Sequence, residues 1–145
     1  MNDKWDERFL KLAHEVATWS KDRSTKVGCV VVSPKRDVRV TGYNGFPRNI
    51  CDTLPERHER PAKYKWTEHA ERNAVFTAAR LGVPLEGCTM YSTMFPCADC
   101  ARAIIQAGVI RLIAPKPNFA DEKWGEDFLF AADMFLEAHV EFYYA

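Results

Sequence analysis

The pairing of His69-Ala70-Glu71 with Pro96-Cys97-Ala98-Asp99-Cys100 constrains this chain more than any other feature. It supplies the His69 imidazole, the thiols of Cys97 and Cys100 and the Glu71 carboxylate, each at the head of a segment with helical character. That inventory suits a catalytic zinc held by three protein ligands, with a fourth position left to water. Cys97 and Cys100 lie three positions apart, so they are neighbours on one face of a helix begun by Pro96. Side chains lean toward a helix's amino terminus, and both sulfurs can converge on a point just beyond it. There the positive end of the helix dipole favours thiolate. His69 and Glu71 stand about 200° apart around an ideal helix and have no common target in mid-helix. In a first turn they can approach one spot from two sides. His69 then binds the metal, and Glu71 stops within reach of a metal-activated water whose proton it can take and hand on.

Two other readings use fewer of these residues. Cys-x-x-Cys alone is also a thioredoxin-like redox motif, which leaves His69 and Glu71 as coincidences. A closed structural zinc needs a fourth protein ligand. Cys88, Cys51, His58, His14 and His139 are available, though none sits in a second Cys-x-x-Cys or His-x3-His unit.

Lysine plus arginine number 20, as do aspartate plus glutamate. That balance argues against a protein built to grip a polynucleotide backbone but leaves room for a local basic pocket. Five cysteines, an odd number with two committed to the motif, argue against a disulfide framework. Cys29, Cys51 and Cys88 are expected reduced, Cys29 and Cys88 as small core residues. The stretch Met1-Asn2-Asp3-Lys4-Trp5 has no apolar signal region, and no segment approaches membrane-spanning length. The expectation is a cytoplasmic protein without a membrane partner, residues 1–145 forming a single domain.

Trp5, Phe9, Leu12, Val16 and Trp19 repeat at helical spacing and predict a helix over residues 5–20 with a core-facing stripe. Residues 27–33 and 38–43 read as a β-hairpin around Ser33-Pro34-Lys35-Arg36-Asp37. A long polar connection follows over residues 44–67, with a short helix near 56–60; so long a loop usually has a function. Next come a helix over 68–81 ended by Gly82, a strand over 88–93, a helix over 97–107 ended by Gly108, and a strand over 109–114. A helix over 125–138 and a strand over 140–144 complete the chain. The order gives an α/β protein with a mixed five-stranded sheet and helices on both faces. A strand–helix–strand crossover places Cys97 and Cys100 at the carboxyl edge of that sheet, where such folds bind ligands.

His-x-Glu followed by Pro-Cys-x-x-Cys is the signature of the zinc nucleobase deaminases. With it stand Ser20-Lys21-Asp22-Arg23-Ser24-Thr25-Lys26-Val27-Gly28 and Gly42-Tyr43-Asn44-Gly45-Phe46-Pro47. On these three stretches the chain resembles the zinc-dependent deoxycytidylate (dCMP) deaminases of the cytidine/deoxycytidylate deaminase superfamily. The resemblance implies a cytidine-deaminase-like three-layer α/β/α fold and Zn2+ bound by His69, Cys97 and Cys100. It implies hydrolysis of dCMP to dUMP and ammonia, with Glu71 protonating N3 of cytosine and then the leaving amine. It also implies Asn44 on the sugar 3′-hydroxyl and Ala70 at the substrate.

Arg23, Ser24 and Lys26, with Lys21 and Thr25, offer donors suited to a phosphate monoester; cations at an exposed helix carboxyl terminus are the alternative. Asn44-Gly45 is also a turn dipeptide, although a long loop rather than a partner strand follows it. Phe95 stands where many relatives carry a small hydroxyl residue, and it either lines the base pocket or packs. Residues 57–66 are not placed by the family pattern. Their Arg and Lys side chains can grip a phosphate and Tyr64 or Trp66 can stack on a base, or the segment is a solvated loop.

The corresponding partner is a small-molecule deoxynucleotide, with no polynucleotide. Some members of the family are hexamers switched on by dCTP and off by dTTP, so a homo-oligomer with those effectors is expected. Some also hold a second zinc, for which Cys51 and His58 are candidates. The alternatives in function are a same-fold deaminase acting on another cytosine nucleotide or nucleoside or on a purine base, and a non-catalytic zinc-stabilised interaction module.

Overall fold

A computed structural model describes residues 3–145. Met1 and Asn2, within the stretch expected to carry no signal region, lie outside the described residues. Among the described residues no helix is long and apolar enough to cross a membrane.

Helix α1 (Lys4–Ala17) begins at a capping box. The Asp3 carboxylate accepts from the backbone N–H groups of Trp5 and Asp6, and the Asp6 carboxylate accepts in return from Asp3 N–H. The helix ends at Ala17, short of the expected Ser20. Trp19 therefore leaves the core stripe, is 49% exposed, and packs edge-on against Tyr43. The chain turns there because Ser20 Oγ donates to the Asn44 carbonyl at 2.7 Å, diverting the backbone away from the helix axis.

Strands β1 (Gly28–Val32) and β2 (Val38–Tyr43) pair antiparallel. With β3 (Thr89–Ser92), β4 (Arg111–Ala114) and β5 (Glu141–Tyr144) they form one sheet in the order β2-β1-β3-β4-β5. β1 is antiparallel to β2 and β3, whereas β3, β4 and β5 run parallel. Between them lie α2 (Lys63–Trp66), α3 (Ala70–Leu81), α4 (Ala98–Gln106) and α5 (Gly125–Glu137).

Strand alternation divides the core in two. Val30, Val32, Tyr91 and Ile113 face α1 and close over Phe9, Ala13 and Val16. Cys29, Val31, Val40, Met90 and Leu112 face the other way, toward α3, α4 and α5. The molecule has three layers, with α1 on one face of the sheet and α3, α4 and α5 on the other. Cys29 and Cys88 are buried in the larger cluster. Two glycines allow helices to sit against the strands. A Cβ on Gly28 would collide with the backbone of α1 at Ala13 and Ala17, and one on Gly42 with the backbone of α3 at Ala70 and Ala74.

Asn44-Gly45 does not turn a hairpin. Gly45 and Glu68 exchange two backbone hydrogen bonds (3.1 and 2.8 Å), which close the long connection at its base. Within it, the helix expected near 56–60 is a three-residue 3-10 turn, Pro55–Arg57. The four-residue α2 is too short to show a helical period.

Candidate active site

His69 and Cys97 are the N-cap residues of α3 and α4, with extended backbones (φ −77°, ψ 155° and φ −73°, ψ 172°). Both helices start one or two residues later than their sequence suggests, and Pro96 precedes the cap instead of opening the first turn. An N-cap side chain projects past the helix end. Here that projection carries the imidazole and a sulfur toward one point. Cys100, one turn into α4 and fully buried, arrives from the helix face.

His69 Nδ1 lies 3.4 Å from Cys97 Sγ and 3.4 Å from Cys100 Sγ. The three donor atoms all fall within 4.8 Å of one another. Zn–S near 2.3 Å and Zn–N near 2.05 Å at a tetrahedral angle give a donor separation of roughly 3.5 Å, so the residues fit the metal. The electrostatics agree with the donor chemistry. The hydrogen bond from Cys100 holds the Cys97 thiol down to about 5, with His69 assisting, and the same bond pushes Cys100 up. The bond to Cys97 raises His69 to about 9, against the opposing effect of burial. A thiolate is thus favoured at Cys97.

Glu71, 4% exposed in the first turn of α3, directs Oε2 to 3.5 Å from Cys100 Sγ. Its Oε1 accepts from Ser92 Oγ at 3.2 Å. Burial raises its pKa, and the nearby Cys97 sulfur adds to the effect. Strand alternation puts Ser92 on the same face as Met90, but its contact with Glu71 arises only from the packing of β3 against α3.

The segment between β3 and α4 is anchored on both sides. Gly28 and Thr93 exchange hydrogen bonds at 3.1 and 3.0 Å. Phe95, 3% exposed, packs edge-on against Phe128, Phe135 and Phe142 while part of it lines the cavity. From α5, Asp127 Oδ2 accepts from Ala98 N–H at 2.7 Å and so satisfies one of the unpaired donors at the head of the cysteine helix.

The site opens into a cleft where polar and charged side chains stand among apolar and aromatic ones, the mixture typical of small-molecule sites. His69, Ala70, Glu71 and Cys97 form its floor together with Asn44 and Thr25. Asn44 is 7% exposed, its Oδ1 accepting from Val27 N–H and its Nδ2 donating to the Thr25 carbonyl, each at 2.8 Å. It therefore ties the end of β2 to residues 20–27 and keeps one amide hydrogen for a ligand. Arg23, Ser24 and Lys26 are exposed and do not appear among the residues lining the cavity. Ser24 Oγ instead accepts from Lys63 Nζ at 2.7 Å, beside an ion pair of Lys63 with Asp22 at 3.1 Å.

Trp124, Tyr64, Arg60, Lys63 and Lys123 form the outer wall. Of the unplaced segment, Arg60, Lys63 and Tyr64 face the cavity, while Trp66 turns away and lies under Arg57 and beside Phe46. Cys51 and His58 do not join a metal cluster: Cys51 Sγ contacts Thr53 Oγ1 and His58 Nε2 contacts the Asp52 carbonyl. Among the described residues, His69, Cys97 and Cys100 are the one such group.

Comparisons with known proteins agree with this geometry. The family model described as the cytidine and deoxycytidylate deaminase zinc-binding region matches residues 3–115. An uncharacterised deaminase of the luxG 3′ region of Aliivibrio fischeri is 43% identical over 143 residues, covering 97% of this chain and 93% of that protein. The deoxycytidylate deaminase of Mus musculus is 35% identical over 125 residues, covering 83% of this chain and 69% of its own. Among solved structures, the dCMP deaminase of cyanophage S-TIM5 in complex with dCMP and dUMP superposes with a TM-score of 0.79 at 25% identity. That match covers 100% of this chain and 99% of the phage enzyme.

Proposed function

The chain belongs to the cytidine and deoxycytidylate deaminases, and on that premise we propose that it hydrolyses dCMP to dUMP and ammonia. The observation that carries the reading is the convergence of His69, Cys97 and Cys100 with the buried Glu71 carboxylate beside them at the cavity floor. The relatives named for dCMP, one of them in complex with dCMP and dUMP, supply the substrate.

In this reading His69, Cys97 and Cys100 hold zinc, which when bound polarises a water and brings its pKa toward neutrality. Glu71 takes that water's proton on Oε2 and delivers it to N3 of the cytosine ring as the water's oxygen adds to C4. It then passes the remaining proton from the C4 oxygen to the exocyclic amine, so that C4–N breaks and ammonia leaves. The raised pKa of Glu71 suits a group that must both take and release a proton near neutrality. Ser92 engages Oε1 and keeps Oε2 turned to the reacting centre. Asn44 offers its remaining amide hydrogen to the sugar 3′-hydroxyl, and Ala70 borders the base.

The reading extends to residues 1–145 acting as one deaminase domain in the cytoplasm, assembled as a homo-oligomer. The half-exposed Phe76 and the exposed Leu81, Leu129, Phe130 and Leu136 on α3 and α5 give a second copy apolar surface to cover. Response to dCTP and dTTP belongs to the same reading.

The test is ammonia release from cytosine, adenine and guanine bases, nucleosides and nucleotides, with and without dCTP and dTTP. The highest kcat/KM is expected on dCMP. A higher value on a purine, or on free cytosine, would overturn the assignment.

A further inference from the structure

The cavity has a chemical order from floor to mouth. His69 and Glu71 lie at the floor, Trp124 stands edge-on to His69 with ring centroids 6.3 Å apart, and Tyr64 stands edge-on to Trp124 at 6.5 Å. Lys123 Nζ then sits 3.9 Å over the Tyr64 ring and donates to the Tyr64 hydroxyl. Arg60 and Lys63 complete the rim. The reacting centre and the cations are thus separated by an aromatic wall.

The three cations are not equivalent. Lys63 is spent: it is buried, ion-paired to Asp22 at 3.1 Å and hydrogen-bonded to Ser24 at 2.7 Å. It acts as a strut between the long connection and residues 22–24. Arg60 and Lys123 have no carboxylate partner among the described residues. They come from two different loops and lie close enough that, besides burial, the charges of Arg60 and Lys63 both lower the Lys123 pKa. Two like charges that share a cavity rim and have no carboxylate partner of their own are stabilised by an anion.

We propose that Arg60 and Lys123 bind the phosphate monoester of the nucleotide, in place of the exposed Arg23 and Lys26. The inference rests on the deaminase reading for the identity of the substrate, and it makes this rim the determinant of nucleotide over nucleoside. With the base at Glu71, the sugar lies along Trp124 and the phosphate reaches the paired loops. The guanidinium supplies a planar fork and the ammonium a point charge. Lys123 lies beyond residues 3–115, so the region matched by the family does not contain this half of the pair.

The experiment compares wild type, Arg60→Ala, Lys123→Ala and an Arg23→Ala/Lys26→Ala double variant on dCMP and deoxycytidine. The readout is the preference, kcat/KM on dCMP over that on deoxycytidine. Arg60→Ala and Lys123→Ala are each expected to lower it roughly 10–100-fold, chiefly through KM, and the double variant is expected to keep it. Equal losses on both substrates would overturn the proposal, as would a larger fall in the double variant. Calorimetric binding of dUMP against deoxyuridine decides the anion site separately from turnover: the phosphate's share of the affinity is lost in Arg60→Ala and Lys123→Ala if the proposal holds, and its retention overturns it. A wild type that deaminates neither compound refutes the deaminase reading instead.

Discussion

Glu71 combines two properties that are costly to hold together, a carboxyl group that is nearly inaccessible and one placed beside a cysteine sulfur. Burial favours its protonated form, and a bound cation favours the ionised one, so the side chain sits where either state is reachable. Glu71→Gln keeps the shape and the Ser92 contact but cannot carry a proton. It should lower kcat by at least about 10²–10⁴-fold while metal analysis still finds zinc in the protein; normal turnover would refute the role. Asp22 gives a prediction away from the metal. Burial alone would raise its pKa, but the Thr25 and Ser24 backbone N–H groups and Lys63 outweigh it and hold the group at about 2 rather than 3.8. A depressed carboxylate pKa adds stability above the unfolded value, and that stability is lost as pH falls through the folded one. The stability difference between wild type and Asp22→Asn should therefore be constant above about pH 5 and shrink toward pH 2 in denaturant titrations. A gap independent of pH would mean that Asp22 acts through shape alone. Glu71, His69, Cys97 and Cys100 could be read at this scale from the chain because motif spacing is local. Ser92 could not, because its role exists only once β3 lies under α3.

At the scale of elements, the two helix heads decide the geometry. The carboxylate of Asp127 reaches from α5 to the first turn of α4, and a hydrogen bond to a charged group is worth about 1.5–3 kcal/mol. Asp127→Ala should lower stability by that order and speed zinc release to a colorimetric chelator. Unchanged release would show that the cysteines are held without it. α3 depends on Gly42, whose missing side chain lets the helix backbone lie on β2. Gly42→Ala should cost about 1–3 kcal/mol or more and reduce activity further than Ala substitution at an exposed strand site, because the displaced backbone includes Ala70, between His69 and Glu71. A variant as active and as stable as wild type would mean that the helix shifts freely. Apolar periodicity located every strand and all the longer helices to within a few residues. It missed α2, which is a single turn, and it overran α1 because Trp19 continued the spacing after the helix had ended at Ala17.

For the whole molecule, the metal ligands come from helices on either side of β3 in the chain, so a cation at their meeting point ties two crossovers to one another. Zinc at a hundredfold excess over its dissociation constant adds about 2.7 kcal/mol to folding stability. Removing it with a chelator should abolish activity and lower the melting temperature, and re-addition should restore both. A melting temperature unmoved after verified metal loss would show that the protein alone fixes the ligand geometry. The sequence by itself determined the candidate donor set, the Glu71 carboxylate beside it, the mixed sheet and the family, because each depends on residue type and on spacing along a short stretch. The tertiary structure alone decided what lines the cavity. It carried Arg60, Tyr64 and Lys63 in from one loop, Lys123 and Trp124 from another, and it left Arg23 and Lys26 facing solvent. Those positions follow from long-range packing of segments without a period, and no local pattern in the chain encodes where such segments meet.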